Sequence, residues 1–176
     1  MPRTTHPAGT PAPTRPLHAK DHHTGDAAMS DHDTQAEGGR LEDVKVLIVD
    51  DDQDILESME AAFQSEGALT QVAVDGNDAV RICREEPPDL VILDMMLPRR
   101  SGFHVLEGIK GFPDSPPVIM VTANEGKRHQ AYAESLGVDR YLLKPVPLQR
   151  LLEAAVEVLD EYEDEDEDEM DDSGDE

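Results

Sequence analysis

The chain alternates short apolar runs with segments whose apolar residues recur at helical spacing. A run of four or five apolar residues between polar ones is typical of a strand buried on both faces. Between the runs, residues such as Ile55, Leu56, Met59 and Phe63 share one face of a helix. Strands and helices that alternate in this way predict a parallel sheet with helices on both faces. The predicted strands are Lys45–Val49, Leu69–Val74, Leu90–Leu93, Val118–Val121 and Tyr141–Leu143.

Composition changes sharply at both ends of this pattern. Residues 1–43 contain no Val, Ile, Phe, Tyr or Cys, and 13 of the 17 residues in 160–176 are acidic. Such segments bury too little apolar surface to offset the entropy lost on ordering, and like charges repel one another. We therefore predict one ordered domain over residues 44–159, between a disordered N-terminal tail (1–43) and a disordered acidic C-terminal tail (160–176).

Charge and cysteine content narrow the possible functions. Asp and Glu number 40 against 15 Lys and Arg, a formal net charge of −25 that argues against direct nucleic-acid binding. The single cysteine, Cys83, excludes an internal disulfide and fits a reducing compartment. No apolar run approaches the roughly 20 residues of a membrane helix, and no secretory signal is visible. These features predict a cytoplasmic protein without membrane insertion.

Polar residues follow the predicted strands at the points where they end. In open α/β sheets, ligands bind beyond the carboxyl ends of the strands, so these residues are expected to share one crevice. Each has an ordinary alternative role as a helix cap or a loop residue, but their joint occurrence favours a site. They are Asp50, Asp51 and Asp52 after the first strand, Asp94 after the third, Thr122 after the fourth and Lys144 after the fifth.

These residue types suit one kind of chemistry. Two carboxylates about 4 Å apart repel by roughly 4 kcal/mol at an effective dielectric near 20, and a divalent cation removes that cost. Mg²⁺ suits a small site of a few carboxylates, waters and phosphate oxygens. A carboxylate beside Mg²⁺, a hydroxyl and an amine can receive a phosphoryl group, since the cations neutralise its oxygens while the carboxylate attacks in line.

Five segments, in this order and spacing, resemble the receiver domain of two-component response regulators, in particular stand-alone receivers like those of chemotaxis. They are KVLIVDDD, PPDLVILDMMLP, SGF, VIMVTA and RYLLKPV. The resemblance covers roughly residues 44–159. It implies a flavodoxin-like fold, in which a five-stranded parallel sheet of order 2-1-3-4-5 is covered by five helices.

The resemblance also implies roles for the residues at the strand ends. Asp94 is expected to be the phosphoacceptor. The expected Mg²⁺ ligands are Asp50, Asp51, Asp94 and the main-chain carbonyl of Met96.

Three residues near the last strand complete the implied site. Thr122 and Lys144 are expected to contact the phosphoryl group. Tyr141 matches the aromatic switch residue that turns inward after phosphorylation, and the peptide bond between Lys144 and Pro145 is expected to be cis.

The function implied is that of a stand-alone phosphoacceptor in signalling rather than an enzyme, apart from self-catalysed phosphoryl transfer and slow autodephosphorylation. A sensor histidine kinase or histidine phosphotransfer protein would donate the phosphoryl group, and an unknown output protein would read the switched surface. A relay shuttle or phosphate sink is an open alternative. A small Mg²⁺-dependent phosphohydrolase with an aspartyl nucleophile is disfavoured, because Met96 stands where such chemistry uses an acid.

Two features leave alternatives open. Arg99 and Arg100 occupy positions where small or acidic residues are more frequent in the family, so they either help an acidic partner to dock or belong to a solvated loop. The acidic run 160–176 either competes for basic surfaces or serves only to keep the chain soluble.

Overall fold

The computed structural model describes residues 39–123 and 126–171, with residues 165–171 described by their backbone alone. In this part of the chain, five strands alternate with five helices, which confirms the predicted α/β class. The strands are β1 (Lys45–Val49), β2 (Leu69–Ala73), β3 (Leu90–Asp94), β4 (Val118–Thr122) and β5 (Arg140–Leu143). The helices are α1 (Gln53–Ser65), α2 (Gly76–Glu85), α3 (Gly102–Lys110), α4 (Lys127–Ser135) and α5 (Leu148–Asp171).

The strands form one parallel sheet in the order β2-β1-β3-β4-β5, as the flavodoxin-like prediction requires. Val49 lies beside Leu93, Asp94 beside Val121, and Thr122 beside Leu143. Because this register aligns the carboxyl ends of β1, β3, β4 and β5, the polar residues that follow these strands lie along one edge of the sheet.

The central strands are apolar on both faces because each face is covered by helices. Every residue of β3 and β4 is buried. On one side Ile48 packs with Phe63 of α1 and Leu151 of α5, and on the other Leu47 packs with Leu106 of α3. Burial of each such side chain contributes about 1.5–3 kcal/mol.

Aspartates begin the first two helices. The carboxylate of Asp52 accepts hydrogen bonds from the backbone N–H groups of Asp54 and Ile55, and Asp75 caps α2 in the same way. An N-cap of this kind stabilises a helix by about 1 kcal/mol. Of the three consecutive aspartates, Asp52 is therefore the one that serves as a helix cap.

The ordered region extends beyond the predicted boundaries at residues 44 and 159. Leu41 is buried in the core, and its N–H bonds to the carbonyl of Glu66. Helix α5 continues to Asp171, so residues 160–171 are helical, whereas composition predicts that they are disordered. The remaining tail residues of that prediction, 1–38 and 172–176, lie outside the described residues.

Long-range contacts hold the beginning of the acidic run against the domain. Tyr162 donates a hydrogen bond to Asp139, and Glu161 pairs with Arg140 at the start of β5. Glutamate is also a good helix former once a helix has been started.

Among the described residues, no helix combines the length and the apolar composition that a membrane span requires.

Candidate functional site

Lys144 links two buried carboxylates at the carboxyl edge of the sheet. Its Nζ lies 2.6 Å from Oδ2 of Asp50 and 3.1 Å from Oδ1 of Asp94. The exposed fraction of the residue is 3% for Asp50 and 5% for Asp94. The structure thus brings together three of the residues that the sequence places at strand ends.

Local backbone groups orient the two carboxylates. The N–H of Asp52 donates to Oδ1 of Asp50 over 2.9 Å, and the N–H of Met96 donates to Oδ2 of Asp94 over 2.7 Å. In each residue the other carboxylate oxygen faces Lys144: Oδ2 in Asp50 and Oδ1 in Asp94. Both side chains are therefore held in place by the chain that follows them.

The end of β5 holds Lys144 against β4. The N–H of Lys144 donates to the carbonyl of Thr122 over 2.8 Å, and the Lys144–Pro145 peptide bond is cis, as the resemblance implied. Thr122 is fully buried at the end of β4. Tyr141 lies three residues before Lys144, is partly buried, and packs against the core between the sheet and helices α2 and α3.

Burial and neighbouring charges both shift the pKa values of Asp94 and Lys144. Burial raises the pKa of the Asp94 carboxyl, the Lys144 ammonium opposes that rise, and the charge of Asp50 adds to it, so the pKa lies above its ordinary value. Burial lowers the pKa of Lys144, but its hydrogen bond to Asp50 and the charges of both carboxylates outweigh this, and the pKa is raised overall. One ammonium thus faces two carboxylates.

The third predicted carboxylate ligand, Asp51, has a different environment from Asp50 and Asp94. Asp51 is exposed, and among the described residues no group of three or more His, Cys, Asp or Glu side chains is arranged to hold a metal ion. Here Lys144, rather than a third carboxylate, faces both Asp50 and Asp94. These two still fit Mg²⁺, which is usually held by one or two carboxylates together with waters and phosphate oxygens.

The two arginines after β3 interact with α2. Nη1 of Arg99 lies 2.7 Å from Oδ2 of Asp75, and Arg100 lies against Gly76 at the start of α2. Sequence reasoning missed Asp75. It also follows a strand, β2, so the rule that singled out Asp94 and Lys144 would have found it.

A cleft of about 590 Å³ opens beside Lys144, between α1 and the segment that joins β5 to α5. Its lining is largely apolar and includes Ile55, Met59 and Val146, and Asp52 and Asp54 also line it. An apolar surface therefore adjoins the charged group.

Comparison with known proteins finds a matching family model and similar solved structures. The family model for the response regulator receiver domain matches residues 46–156. The chain is similar to a CheY-like response regulator receiver domain protein from Methanospirillum hungatei JF-1, with 31% identity, a TM-score of 0.68, and coverage of 70% of this chain and 99% of that one.

Two further solved structures share the fold. The CheX–CheY–BeF₃–Mg²⁺ complex from Borrelia burgdorferi matches with 28% identity and a TM-score of 0.63, over 65% of this chain and 88% of that one. The receiver domain of a sensor histidine kinase from Pseudomonas aeruginosa PAO1, described with a magnesium ion in its active-site cleft, matches with 24% identity and a TM-score of 0.62. That match covers 66% of this chain and 98% of the other.

Proposed function

Because this chain belongs to the response regulator receiver domain family, we propose that it acts in two-component signalling by accepting a phosphoryl group on Asp94. The observation that carries the proposal is the contact of Lys144 Nζ with both Asp50 and Asp94. An ammonium fixed beside a buried carboxylate is well placed to stabilise negative charge that arrives on that carboxylate.

The donor is a histidine kinase or a histidine phosphotransfer protein. An oxygen of the Asp94 carboxylate attacks phosphorus, the bond from phosphorus to the donor's imidazole nitrogen breaks, and that nitrogen keeps the electron pair. The Met96 N–H holds the carboxylate in one orientation, and Lys144 pairs with the phosphoryl oxygens. The apolar cleft beside Lys144 offers the donor protein a surface within reach of the site.

Asp50, Asp51, Asp94 and the main-chain carbonyl of Met96 would hold Mg²⁺. The ion, when bound, neutralises charge on the transferring group. The fit rests on the carboxylates of Asp50 and Asp94, which are hard oxygen donors at one edge of the sheet.

Phosphorylation of Asp94 then shifts an equilibrium between two states of the domain. Thr122 lies at the end of β4 and would donate its hydroxyl hydrogen to a phosphoryl oxygen. Tyr141 packs on the side of the sheet that α2 and α3 cover, and it would turn inward as Thr122 moves. The surface that changes is formed by α4, β5 and α5, and an output protein reads it.

Intact mass after incubation with acetyl phosphate and Mg²⁺ tests this function. We expect the wild type to gain one phosphoryl group, and Asp94→Asn to gain none because an amide is a poor nucleophile. Asp43→Asn is the matched control: it removes an exposed carboxylate near the opposite edge of the sheet, where asparagine tolerates the positive φ of 63°. Equal labelling of all three proteins, or none of the wild type, would contradict the proposal.

A further inference from the structure

The loop between β3 and α3, residues 95–101, contains a residue in the left-handed region of backbone conformation. Arg99 has a φ of 64°, and the N–H of Arg100 bonds to the carbonyl of Pro98 over 2.7 Å. For a residue other than glycine this conformation is strained, because Cβ lies too close to the carbonyl oxygen that follows it. Surrounding contacts must therefore hold the loop in this shape.

The side chain of Arg99 supplies one such contact. Its Nη1 lies 2.7 Å from Oδ2 of Asp75. The Arg99 side chain is 69% exposed, but that of Asp75 is only 3% exposed. Oδ1 of Asp75 accepts hydrogen bonds from the N–H groups of Asn77 and Asp78, over 2.9 and 3.1 Å. One buried carboxylate thus caps α2 with one oxygen and holds the loop with the other.

Two close backbone approaches constrain the path of the loop. A Cβ on Gly76, at the start of α2, would lie 2.6 Å from the carbonyl oxygen of Arg100. A Cβ on Gly102, at the start of α3, would lie 2.4 Å from the carbonyl oxygen of Asp94. The segment between these points includes Met96, whose N–H orients the Asp94 carboxylate.

We infer that Asp75 and Arg99 are positioning residues for the phosphoacceptor: their ion pair fixes the loop whose Met96 N–H orients Asp94. This inference rests on the proposed function, because it assigns the pair to the reaction of Asp94. Neither residue contacts the phosphoryl donor in this role. Loss of the pair should lower the maximal rate of phosphorylation and leave the concentration of acetyl phosphate at half-maximal rate unchanged.

The test compares phosphorylation rates of the full chain at saturating Mg²⁺ over a range of acetyl phosphate concentrations. Arg99→Ala is expected to be about tenfold slower, which is the lower end of the loss when a residue that orients a metal-ligating side chain is removed. Arg99→Gly should be as slow, although glycine adopts the positive φ without strain, and Arg99→Lys should recover part of the rate. Arg81→Ala is the matched control, since Arg81 is exposed on α2 and pairs only with Asp78 and Glu85 among the described residues.

A double variant tests whether the two residues act as a pair. Asp75→Asn combined with Arg99→Ala should be no slower than the slower single variant, because both changes remove the same interaction. Thermal melting of each variant identifies those that remain folded at the assay temperature. Arg99→Gly removes the side chain without backbone strain, and Arg99→Lys keeps the positive charge, so the two variants separate these contributions.

The inference is overturned if the wild type is phosphorylated and Arg99→Ala and Arg99→Gly keep its rate. It is also overturned if Arg81→Ala loses as much as Arg99→Ala, or if the losses of the two single variants multiply in the double variant. A folded wild type that is not phosphorylated at all would overturn the proposed function, and this inference with it.

Discussion

Asp50 and Asp94 present their carboxylates to Lys144 in the same way. Each accepts the backbone N–H of the residue two positions later, at 2.9 Å from Asp52 and 2.7 Å from Met96. Each then turns its other oxygen to the same ammonium, at 2.6 and 3.1 Å. Because local backbone fixes both rotamers, the charged group is organised before any ligand arrives.

This arrangement predicts that Lys144 stabilises the fold. Lys144→Met should lower the free energy of unfolding by about 1–3 kcal/mol without Mg²⁺, because it leaves two buried carboxylates without their shared cation. Urea unfolding with and without Mg²⁺ measures this effect. Mg²⁺ should stabilise the variant, since a ligand that binds only the folded state shifts the equilibrium toward it. A variant as stable as the wild type in the absence of Mg²⁺ would show that the contacts of Lys144 contribute nothing.

The thiol of Cys83 should be almost inert in the native protein. Burial raises its pKa to about 11, so about one thiol in a thousand is ionised at pH 8. Alkylation with iodoacetamide should therefore be slow in buffer and rapid in guanidinium chloride, where the core is open. Complete labelling of the native protein within minutes would contradict the packing described for α2.

Helix α5 should be anchored by Tyr162. Its hydroxyl donates to Oδ1 of Asp139 over 2.7 Å and accepts a hydrogen bond from Lys110 over 3.1 Å. Tyr162→Phe is expected to reduce the free energy of unfolding by about 1–2 kcal/mol. Truncation after residue 159 should reduce it further, because it also removes the pair between Glu161 and Arg140.

A second truncation provides the control for that prediction. A chain that ends at residue 164 keeps Tyr162 and should unfold at nearly the same urea concentration as the full chain. Equal stability of the chains that end at 159 and 164 would mean that the contacts of Tyr162 do not stabilise the domain.

Asp75 should contribute to the pH dependence of stability. Hydrogen bonds from the N–H groups of Asp78 and Asn77, together with the charge of Arg99, hold its pKa below the ordinary value of 3.8 despite burial. Because the folded-state pKa is the lower one, this stabilisation is present above about pH 4 and is lost as the pH falls through the folded-state pKa.

Asp75→Asn tests this assignment. The variant should lose less stability than the wild type when the pH is lowered from about 5 to about 3, since asparagine does not titrate in this range. Urea unfolding at each pH gives the comparison. A parallel loss of stability in both proteins would assign the acid sensitivity to other carboxyl groups.

The central strands β3 and β4 were predictable because helices cover both faces of the sheet there. A strand buried on both sides has no solvent-facing residues, so β3 and β4 are read directly from the sequence as continuous apolar runs. The polar residues at the ends of the apolar runs then mark the carboxyl edge, and they include Asp94 after the third run and Lys144 after the fifth. The alternation of apolar runs with helical segments therefore predicts both the fold and the convergence of these residues at one edge of the sheet.

The ion pair of Asp75 with Arg99 was beyond sequence reasoning for a physical reason. The two residues are 24 positions apart, and Arg99 adopts a positive φ, which is uncommon for a residue other than glycine. The boundaries were missed for a similar reason. Leu41 and Tyr162 are isolated apolar residues in polar segments, and they are ordered by partners distant in the sequence.

The most direct test of the central claim is to locate the phosphoryl group itself. After reaction with acetyl phosphate and Mg²⁺, borohydride reduction converts an aspartyl phosphate to homoserine, and tandem mass spectrometry of the peptides identifies its position. We predict homoserine at position 94 and at none of the three aspartates that follow β1. Homoserine at Asp50, Asp51 or Asp52 instead, or at no position in a chain that remains folded, would contradict the assignment of Asp94 as the phosphoacceptor.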